Sequence, residues 1–271
     1  MKYMFAENEK KIAQEWKKYQ GYTVRPVPST LAYYKKIIKS CPANQKFMLY
    51  GGTPEIRSIF QEQGYSLTLV DRSREMLHAM GLLTGARQAR ASGENLVNLD
   101  WLQLDKMEQQ FDLLVGDDAI NMVKWTEFDL FLEQARKCLR PQGKFICHLL
   151  VKPDDNLIGK SFLEVEQAYH QGKIRSIYDL ASALNFICYD QDSYRMGWQQ
   201  TIQKLGSKKL ARFKPDLDFI EIFGLCNSYF YCPPIKQFEA LVTNYFTIKD
   251  IFYPVEYDYC LLEPIFVLEK K

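Results

Sequence analysis

Short apolar runs alternate with amphipathic segments through the first 150 residues of the chain. The runs have the length and apolar content of buried strands, and they lie at 46–51, 66–71, 94–102, 111–117 and 144–151. Segments between them have helical spacing. The segment 54–64 ends at Gly64, and the segment 125–143 ends in the helix-stopping sequence PQG. This alternation predicts a doubly wound parallel sheet.

The second half of the chain departs from this pattern and then returns to it. From 153 to 210 the sequence is helical and polar-aromatic with no evident strand pairing, which predicts a helical cap inserted over the mouth of the sheet. A last crossover helix at 232–246 and closing strands at 246–254 and 259–269 follow. The predicted fold class is α/β: a doubly wound, mostly parallel seven-stranded sheet with an antiparallel closing strand, N-terminal helices and a helical insertion.

Composition and charge narrow the classes of function. The chain is 47% hydrophobic and 25% charged, which is typical of a globular protein. Its formal charge of +2 and the lack of a basic stripe disfavour nucleic acid as a partner. No apolar stretch has membrane-spanning length, and no oligomeric state is predicted.

The cysteines and the start of the chain indicate the cellular compartment in which the protein is expected. Seven scattered cysteines without a C-x-x-C pair disfavour a disulfide framework and a zinc knuckle. The first twenty residues are charged and amphipathic, unlike a secretory leader. We therefore expect a cytoplasmic protein.

The loop after the first predicted strand has the composition of a ligand-binding turn. Gly51 and Gly52 allow a ligand to approach the backbone, Thr53 can cap the next helix, and Pro54 suits its first position. Ligands of open α/β sheets lie beyond the carboxyl ends of the strands, where this loop falls. A tight turn without a ligand remains the alternative.

Asp71 ends the second predicted strand, twenty residues after Gly51. A carboxylate at this interval commonly binds ribose hydroxyls. Its alternative role is to cap the following helix, but Ser73 can do that and leave Asp71 available.

Acidic residues at the strand ends favour a cationic cofactor. Glu55, in the first turn after the glycines, would repel a pyrophosphate, and the third glycine of G-x-G-x-x-G is missing. Asp100, Asp117 and Asp118 end other predicted strands. S-adenosylmethionine carries a sulfonium and an ammonium, so these charges suit it better than NAD.

The order of LYGGTPEIR, LVDRSREML, LDWLQL and FDLLVGDDAINMV resembles the class I, Rossmann-like S-adenosylmethionine-dependent methyltransferases, in a variant branch with a G-x-T-P-E first loop. The resemblance covers about residues 16 to 150. It implies that Tyr50, Gly51, Gly52 and Thr53 line the methionine side of the cofactor. It also implies that Asp71 holds the ribose with Arg72 beside it, that Asp100 and Trp101 flank adenine, and that Asp117 lies near the methionine amino group and the transferring methyl.

The same resemblance extends to the N-terminal helix and an Arg-Pro connector. It implies that Tyr22 and Arg25 close over the cofactor, where Arg25 pairs either with the cofactor carboxylate or with a structural partner. Trp101 is alternatively a core anchor. For Asp118 and Asn121, capping of the next helix is expected rather than ligation.

Methyl transfer from a sulfonium is an in-line displacement that depends mainly on positioning, and a base helps a hydroxyl or ammonium acceptor. His148, in the fifth predicted strand, is the candidate general base, unless strand alternation buries it in the core. No metal is expected. The predicted acceptor is a small molecule, and aromatic residues of the insertion form either a wall of its pocket or the insertion's own core. A non-catalytic scaffold and an NAD-dependent oxidoreductase are the alternatives.

These interpretations divide one methyltransferase domain, 1–271, into four parts. They are an N-terminal helical lid at 1–40, a cofactor-binding core at 41–152, a helical insertion that caps the substrate at 153–210, and the C-terminal part of the core sheet at 211–271.

Overall fold

A computed structural model describes most of the chain. The described residues are 25–84, 93–152, 161–213, 217, 229–256 and 258–271. The strands are β1 (Phe47–Tyr50), β2 (Leu67–Asp71), β3 (Glu94–Asn98), β4 (Phe111–Asp117), β5 (Leu139–His148), β6 (Arg195–Met196), β7 (Phe230–Tyr231), β8 (Phe246–Phe252) and β9 (Ile265–Lys270). The helices are α1 (Pro28–Lys39), α2 (Pro54–Glu62), α3 (Arg74–Gly81), α4 (Phe128–Cys138), α5 (Phe162–His170), α6 (Ile177–Ile187), α7 (Trp198–Leu205), α8 (Ser207–Leu210) and α9 (Ile235–Val242).

Seven strands form the main sheet in the order β3-β2-β1-β4-β5-β9-β8. Neighbours from β3 to β5 are parallel, while β9 runs antiparallel to both β5 and β8. The predicted fold class is therefore confirmed. The antiparallel strand does not form the edge of the sheet but lies between β5 and β8.

Both faces of this sheet are covered, which explains the continuous apolar runs in the sequence. All four residues of β1 are buried. One hydrophobic cluster joins the sheet to α4 and α9, and a second joins it to α1, α2 and α3. The carboxyl ends of the parallel strands lie at one edge of the sheet, where α/β sheets bind ligands.

The insertion has a hydrophobic core of its own. Phe162 of α5, Leu184 of α6 and Trp198 of α7 pack together there, and the cluster continues to Phe213 and Leu217. Of the aromatic residues predicted to form either a pocket wall or a separate core, Trp198 and Tyr169 belong to this core. Other aromatic residues of the insertion, including Tyr178 and Phe186, pack instead against Tyr259 near the end of the chain.

Two details of the second half differ from the prediction. The insertion does contain a strand, since β6 pairs with β7 over two residues, a length too short to give a periodic pattern. The predicted strand at 259–269 begins only at Ile265, because Asp258–Leu262 forms a 3₁₀ turn whose Tyr259 and Leu262 pack under the insertion.

None of the described helices is long and apolar enough to cross a membrane. The described cysteines are free thiols: Cys41, Cys138, Cys147, Cys188, Cys232 and Cys260.

Candidate functional site

Gly51, Asp71 and Trp101 meet at the carboxyl edge of the sheet. Gly51 has a φ of +74°, a conformation that other residues rarely adopt. A Cβ atom there would lie 3.7 Å from Asp71 Oδ2 and 3.9 Å from Trp101 Cζ2. The absence of a side chain at Gly51 therefore leaves space between a carboxylate and an indole.

Hydrogen bonds fix the carboxylate of Asp71 in its loop. Its Oδ1 accepts from the Ser73 backbone N–H at 2.7 Å, and the Ser73 hydroxyl caps α3 by accepting from Met76 N at 3.1 Å. The prediction that Ser73 caps this helix is confirmed. Arg72, beside Asp71, is exposed, and its carbonyl accepts from the Asn98 amide at 2.8 Å.

Trp101 and Asp100 are held by the backbone. The Trp101 indole N–H donates to the Val70 carbonyl at 2.7 Å, and the ring meets Tyr50 edge-on with centroids 5.8 Å apart. Asp100 Oδ1 accepts from Leu102 N at 2.9 Å and so begins the 3₁₀ turn that carries Trp101. Trp101 therefore packs against the core while one ring edge faces Gly51.

The ring of Tyr50 faces away from the site. It is 1% exposed and packs against Phe131 and Phe145, because strand alternation directs it toward α4. Burial raises the pKa of its hydroxyl well above the usual value. Only the backbone of Tyr50 is placed to face a ligand at the strand end.

Gly52 and Thr53 make packing and hydrogen-bond contacts that the sequence of the turn did not predict. A Cβ at Gly52 would lie 3.4 Å from Met80 Cβ, so this glycine allows α3 to pack closely. Thr53 stands at the N-cap position of α2 but makes no side-chain capping bond. Its predicted capping role is wrong, because its hydroxyl donates instead to Asp117 Oδ2 at 3.2 Å.

Arg25 forms a structural ion pair with Glu55. Its Nε donates to Glu55 Oε1 at 2.7 Å, and the side chains are 15% and 14% exposed. Because Arg25 offsets the charge of Glu55, Glu55 would repel a pyrophosphate less strongly than the sequence suggested. Tyr22, predicted to close over the cofactor, lies outside the described residues.

Three side chains make polar contacts with the carboxylate of Asp117. Besides Thr53, the Tyr34 hydroxyl donates to Oδ1 at 3.0 Å, and His148 Nδ1 lies 2.9 Å from the same oxygen. Tyr34 belongs to α1, 83 residues away in the sequence, and was not identified from the sequence. Its only signal there is an aromatic residue within a basic helix.

His148 lies in a buried group of acids. Burial acts to lower its pKa, but the charges of Asp118, Asp117 and Glu263 raise it to about 10. Burial raises the pKa of Asp118 to about 7 and that of Glu263 to about 8. The group therefore retains protons near neutral pH, and His148 is an imidazolium there.

Glu263 and Tyr259 are members of this region that the sequence did not indicate. The Tyr259 hydroxyl donates to Glu263 Oε1, and Tyr259 N donates to Asp179 Oδ1 at 2.7 Å. They reach the site from the turn before β9, 115 residues beyond His148, and no local motif marks them.

Asn121 links separate segments rather than capping a helix, so the prediction of capping is wrong. Its amide N–H groups donate to the carbonyls of Leu150 and Tyr231, at 2.7 and 2.8 Å, and its oxygen accepts from Leu150 N. The next α-helix begins only at Phe128. Asp118 makes no cap either, and it has a positive φ of 54°.

A small cavity of about 30 Å³, partly open to solvent, lies between the sheet edge and the insertion. Its lining combines two carboxylates with apolar and aromatic walls, and comprises Asp118, Leu150, Tyr178, Ala181, Ser182, Asn185, Met196, Trp198, Phe230 and Glu263. No group of His, Cys, Asp and Glu in the described part of the chain could hold a metal ion.

Comparisons with known proteins agree with this architecture. Residues 51–147 match the family model described as "Methyltransferase domain". No curated protein matches the chain. A methyltransferase, CcbJ from Streptomyces caelestis, has a similar structure, with a TM-score of 0.60 and 11% identity over 96% of each chain.

Two further structures share the fold. One is the 1,6-didemethyltoxoflavin-N1-methyltransferase of Burkholderia thailandensis bound to S-adenosylhomocysteine, with a TM-score of 0.51 and 13% identity over 89% of this chain and 78% of that one. The other is a Rhodobacter sphaeroides protein described as a Zn-dependent alcohol dehydrogenase, with a TM-score of 0.61 and 15% identity over 99% of both chains. Identities this low show the fold alone.

The matched segment coincides with the sheet edge that joins Gly51, Asp71, Trp101 and Asp117. The chain thus has the class I, Rossmann-like fold, and residues 51–147 within it match a methyltransferase domain.

Proposed function

We propose that this protein transfers the methyl group of S-adenosylmethionine to a small-molecule acceptor bound between the sheet edge and the insertion. One observation carries the proposal: Gly51 leaves open a space that a Cβ atom would narrow, with Asp71 Oδ2 on one side and Trp101 on the other. Asp71 would bind the ribose hydroxyls, and the edge of Trp101 would contact adenine.

The charge of the site fits the same cofactor. Asp117 and Asp118 lie at the end of β4, beside the first loop, where the sulfonium and ammonium of the methionine part would lie. Carboxylates there favour a cation and oppose a pyrophosphate. Glu55 adds little to this negative charge, because Arg25 offsets it.

When bound, S-adenosylmethionine would supply an electrophilic methyl group. The residues of this chain would then act by positioning. Tyr34, Thr53 and His148 hold the carboxylate of Asp117 in one orientation. Apolar and aromatic walls of the cavity limit access of water to the reacting atoms.

We assign His148 a positioning role and not that of a general base. An imidazolium has no lone pair to accept a proton, and neighbouring carboxylates raise the pKa of His148 to about 10. His148→Asn would keep a donor near Asp117 but could not titrate. If His148 only positions Asp117, kcat should depend on pH near neutrality in the same way in His148→Asn as in the wild type. A pH profile of kcat for both proteins checks this expectation.

Isothermal titration calorimetry of the purified protein tests the proposal, with S-adenosylmethionine, S-adenosylhomocysteine and NADH as separate ligands. We expect the first two to bind and NADH not to bind. Gly51→Val should abolish binding, because a branched side chain would fill the space beside Asp71 and Trp101. Glu133→Gln, an exposed change on α4, is the control. Binding of NADH alone, or of none of the three, would overturn the proposal.

A further inference from the structure

We propose that the methyl acceptor is a primary or secondary amine with an apolar body, which enters the cavity as an ammonium ion and lies between Asp118 and Glu263. This inference rests on the proposed function and names its acceptor class. It depends on the cavity between the sheet edge and the insertion, on its two carboxylates and on its aromatic walls.

The two carboxylates reach the cavity from opposite ends of the chain. Asp118 follows β4, and Glu263 precedes β9. Glu263 is 3% exposed and bonds to Tyr259. Oδ1 of Asp118 is buried without a hydrogen-bond partner among the described residues, and so is Nε2 of His148, whose side chain is 5% exposed. Buried polar atoms without partners are costly, and a ligand with several N–H donors would satisfy the Asp118 oxygen.

Aromatic rings complete a site of the kind that recognises ammonium ions. Tyr178, Trp198 and Phe230 come from α6, α7 and β7 and line the same cavity. The faces of such rings attract cations, most strongly when the cation is shielded from water. Leu150 and Met196 add apolar surface for the body of the ligand.

Other acceptor classes fit this lining less well. A carboxylic acid would be repelled by Asp118 when Asp118 is ionised. A neutral alcohol offers the Asp118 carboxylate one O–H donor and no positive charge beyond that of His148, whose Nδ1 lies 3.9 Å from Asp118 Oδ1. An ammonium ion compensates the negative charge of Asp118 and supplies at least two N–H donors.

The transfer step balances with these residues. The ammonium gives one proton to the carboxylate of Asp118, which leaves a lone pair on nitrogen. That pair forms the new N–CH₃ bond while the S–CH₃ bond breaks, and the electrons of the broken bond remain on sulfur as S-adenosylhomocysteine. The nitrogen then carries one proton more than a neutral amine, and this proton passes to solvent. Burial raises the pKa of Asp118 to about 7, so at neutral pH a large fraction of the molecules carries the carboxylate that accepts the first proton.

A panel of matched compounds tests the acceptor class. Benzylamine, phenethylamine and cyclohexylmethylamine, each with its alcohol and carboxylate counterpart, are titrated calorimetrically into the protein saturated with S-adenosylhomocysteine. We expect each amine to bind at least about tenfold more tightly than its alcohol, because only the ammonium makes charge-assisted hydrogen bonds. Methylation of the amines is then followed with S-adenosylmethionine labelled in its methyl group.

Two variants assign the preference to the carboxylates. Asp118→Asn keeps the positive φ, which asparagine tolerates, and Glu263→Gln keeps the shape of its side chain. Each should reduce the preference for amine over alcohol by about tenfold. Affinity for S-adenosylhomocysteine should stay the same in Glu263→Gln, whose side chain we do not place against the cofactor. Glu133→Gln should change neither quantity.

The outcomes separate the two proposals. Failure of S-adenosylhomocysteine to bind contradicts the proposed function. If it binds but the alcohols or carboxylates bind as well as the amines, or if no amine binds, the acceptor class is wrong. If amines are preferred equally by the wild type and both variants, the assignment to Asp118 and Glu263 is wrong.

Discussion

Gly51 and Asp71 lie side by side although twenty residues separate them, because β1 and β2 pair in parallel with Tyr50 opposite Val70. Each residue alone has an ordinary structural explanation. Gly51 makes a turn, and Asp71 orders the loop by accepting from Ser73 N. Their juxtaposition with Trp101 is what gives the pair a binding function in our proposal.

Asp71→Asn tests whether the carboxylate of Asp71 binds the ribose hydroxyls of the cofactor. Asparagine retains an oxygen that can accept from Ser73 N but loses the charge. We expect affinity for S-adenosylhomocysteine to fall by about 1–3 kcal/mol, since charge-assisted hydrogen bonds are stronger than neutral ones. Calorimetry measures this change, with Glu133→Gln as the control, and an unchanged affinity would remove Asp71 from the site.

Asp118 should make stability depend on pH. Burial raises its pKa from 3.8 to about 7 in the folded state, so the folded protein holds this proton longer than the unfolded chain does. The unfolded chain has the lower pKa, 3.8, and the folded protein the higher one, about 7. The protonated Asp118 therefore stabilises the folded state below the lower pKa, and this stabilisation is lost as the pH rises toward the higher pKa. The pKa values of Glu263 and His148 are also raised and act in the same direction.

Thermal unfolding of the wild type and Asp118→Asn isolates this effect. Raising the pH from about 4 to about 6 should lower the Tm of the wild type relative to the variant by about 2 °C or more, since a domain of this size shifts by roughly 2–4 °C per kcal/mol. A Tm difference that stays constant over this range would show that Asp118 titrates normally.

At the scale of elements, Arg57 joins two helices to the edge strand of the sheet. From α2 its Nε and Nη2 donate to both carboxylate oxygens of Glu94 in β3, at 3.1 and 2.6 Å, and Nη1 donates to the Leu77 carbonyl of α3 at 2.9 Å. Arg57 is 2% exposed. Its removal would leave Glu94 buried and short of a charge partner.

Arg57→Met should therefore lower the free energy of unfolding by about 3–5 kcal/mol, the usual cost of breaking one side of a buried ion pair. Lys35→Met provides the comparison, because Lys35 and Glu62 form an exposed pair on α1 and α2 whose loss should cost about 1 kcal/mol or less. Urea denaturation gives both values. Equal losses in the two variants would contradict the structural role of Arg57.

The sequence predicts these elements well where burial on both sheet faces produces a continuous apolar run. The fourth strand was predicted at 111–117, and the structure has it there. The same reasoning did not find the pairing of β6 with β7, which lasts two residues. Nor did it find Tyr34 and Glu263, whose contacts with the site depend on folding of distant segments and leave no local pattern.

At the scale of the whole molecule, the separate core of the insertion predicts partly independent stability. Leu184 is fully buried within that core. Leu184→Ala should cost about 2–5 kcal/mol locally. Hydrogen exchange should then increase in α5, α6 and α7 but remain slow in β1 and β4, because the sheet has its own hydrophobic clusters.

Leu49→Ala, in the buried strand β1, is the matched change in the sheet core. It should increase exchange in the sheet as well as in the insertion, since the insertion depends on the sheet for its attachment. Uniform acceleration in the Leu184→Ala variant would show that the two cores unfold as one unit.

The hydrogen bonds of Asn121 have a consequence for how proteins of this fold can diversify. They hold Leu150, just before the insertion, against Tyr231, so the segment between them, 151–230, includes the whole insertion, and Lys152 N donates to the Pro233 carbonyl at 3.0 Å beside them. Because the two ends lie together, a segment of different length or sequence can join them with little extra loop-closure entropy. Evolution can therefore exchange the part that in our proposal contacts the acceptor, while the half proposed to bind the cofactor is inherited unchanged.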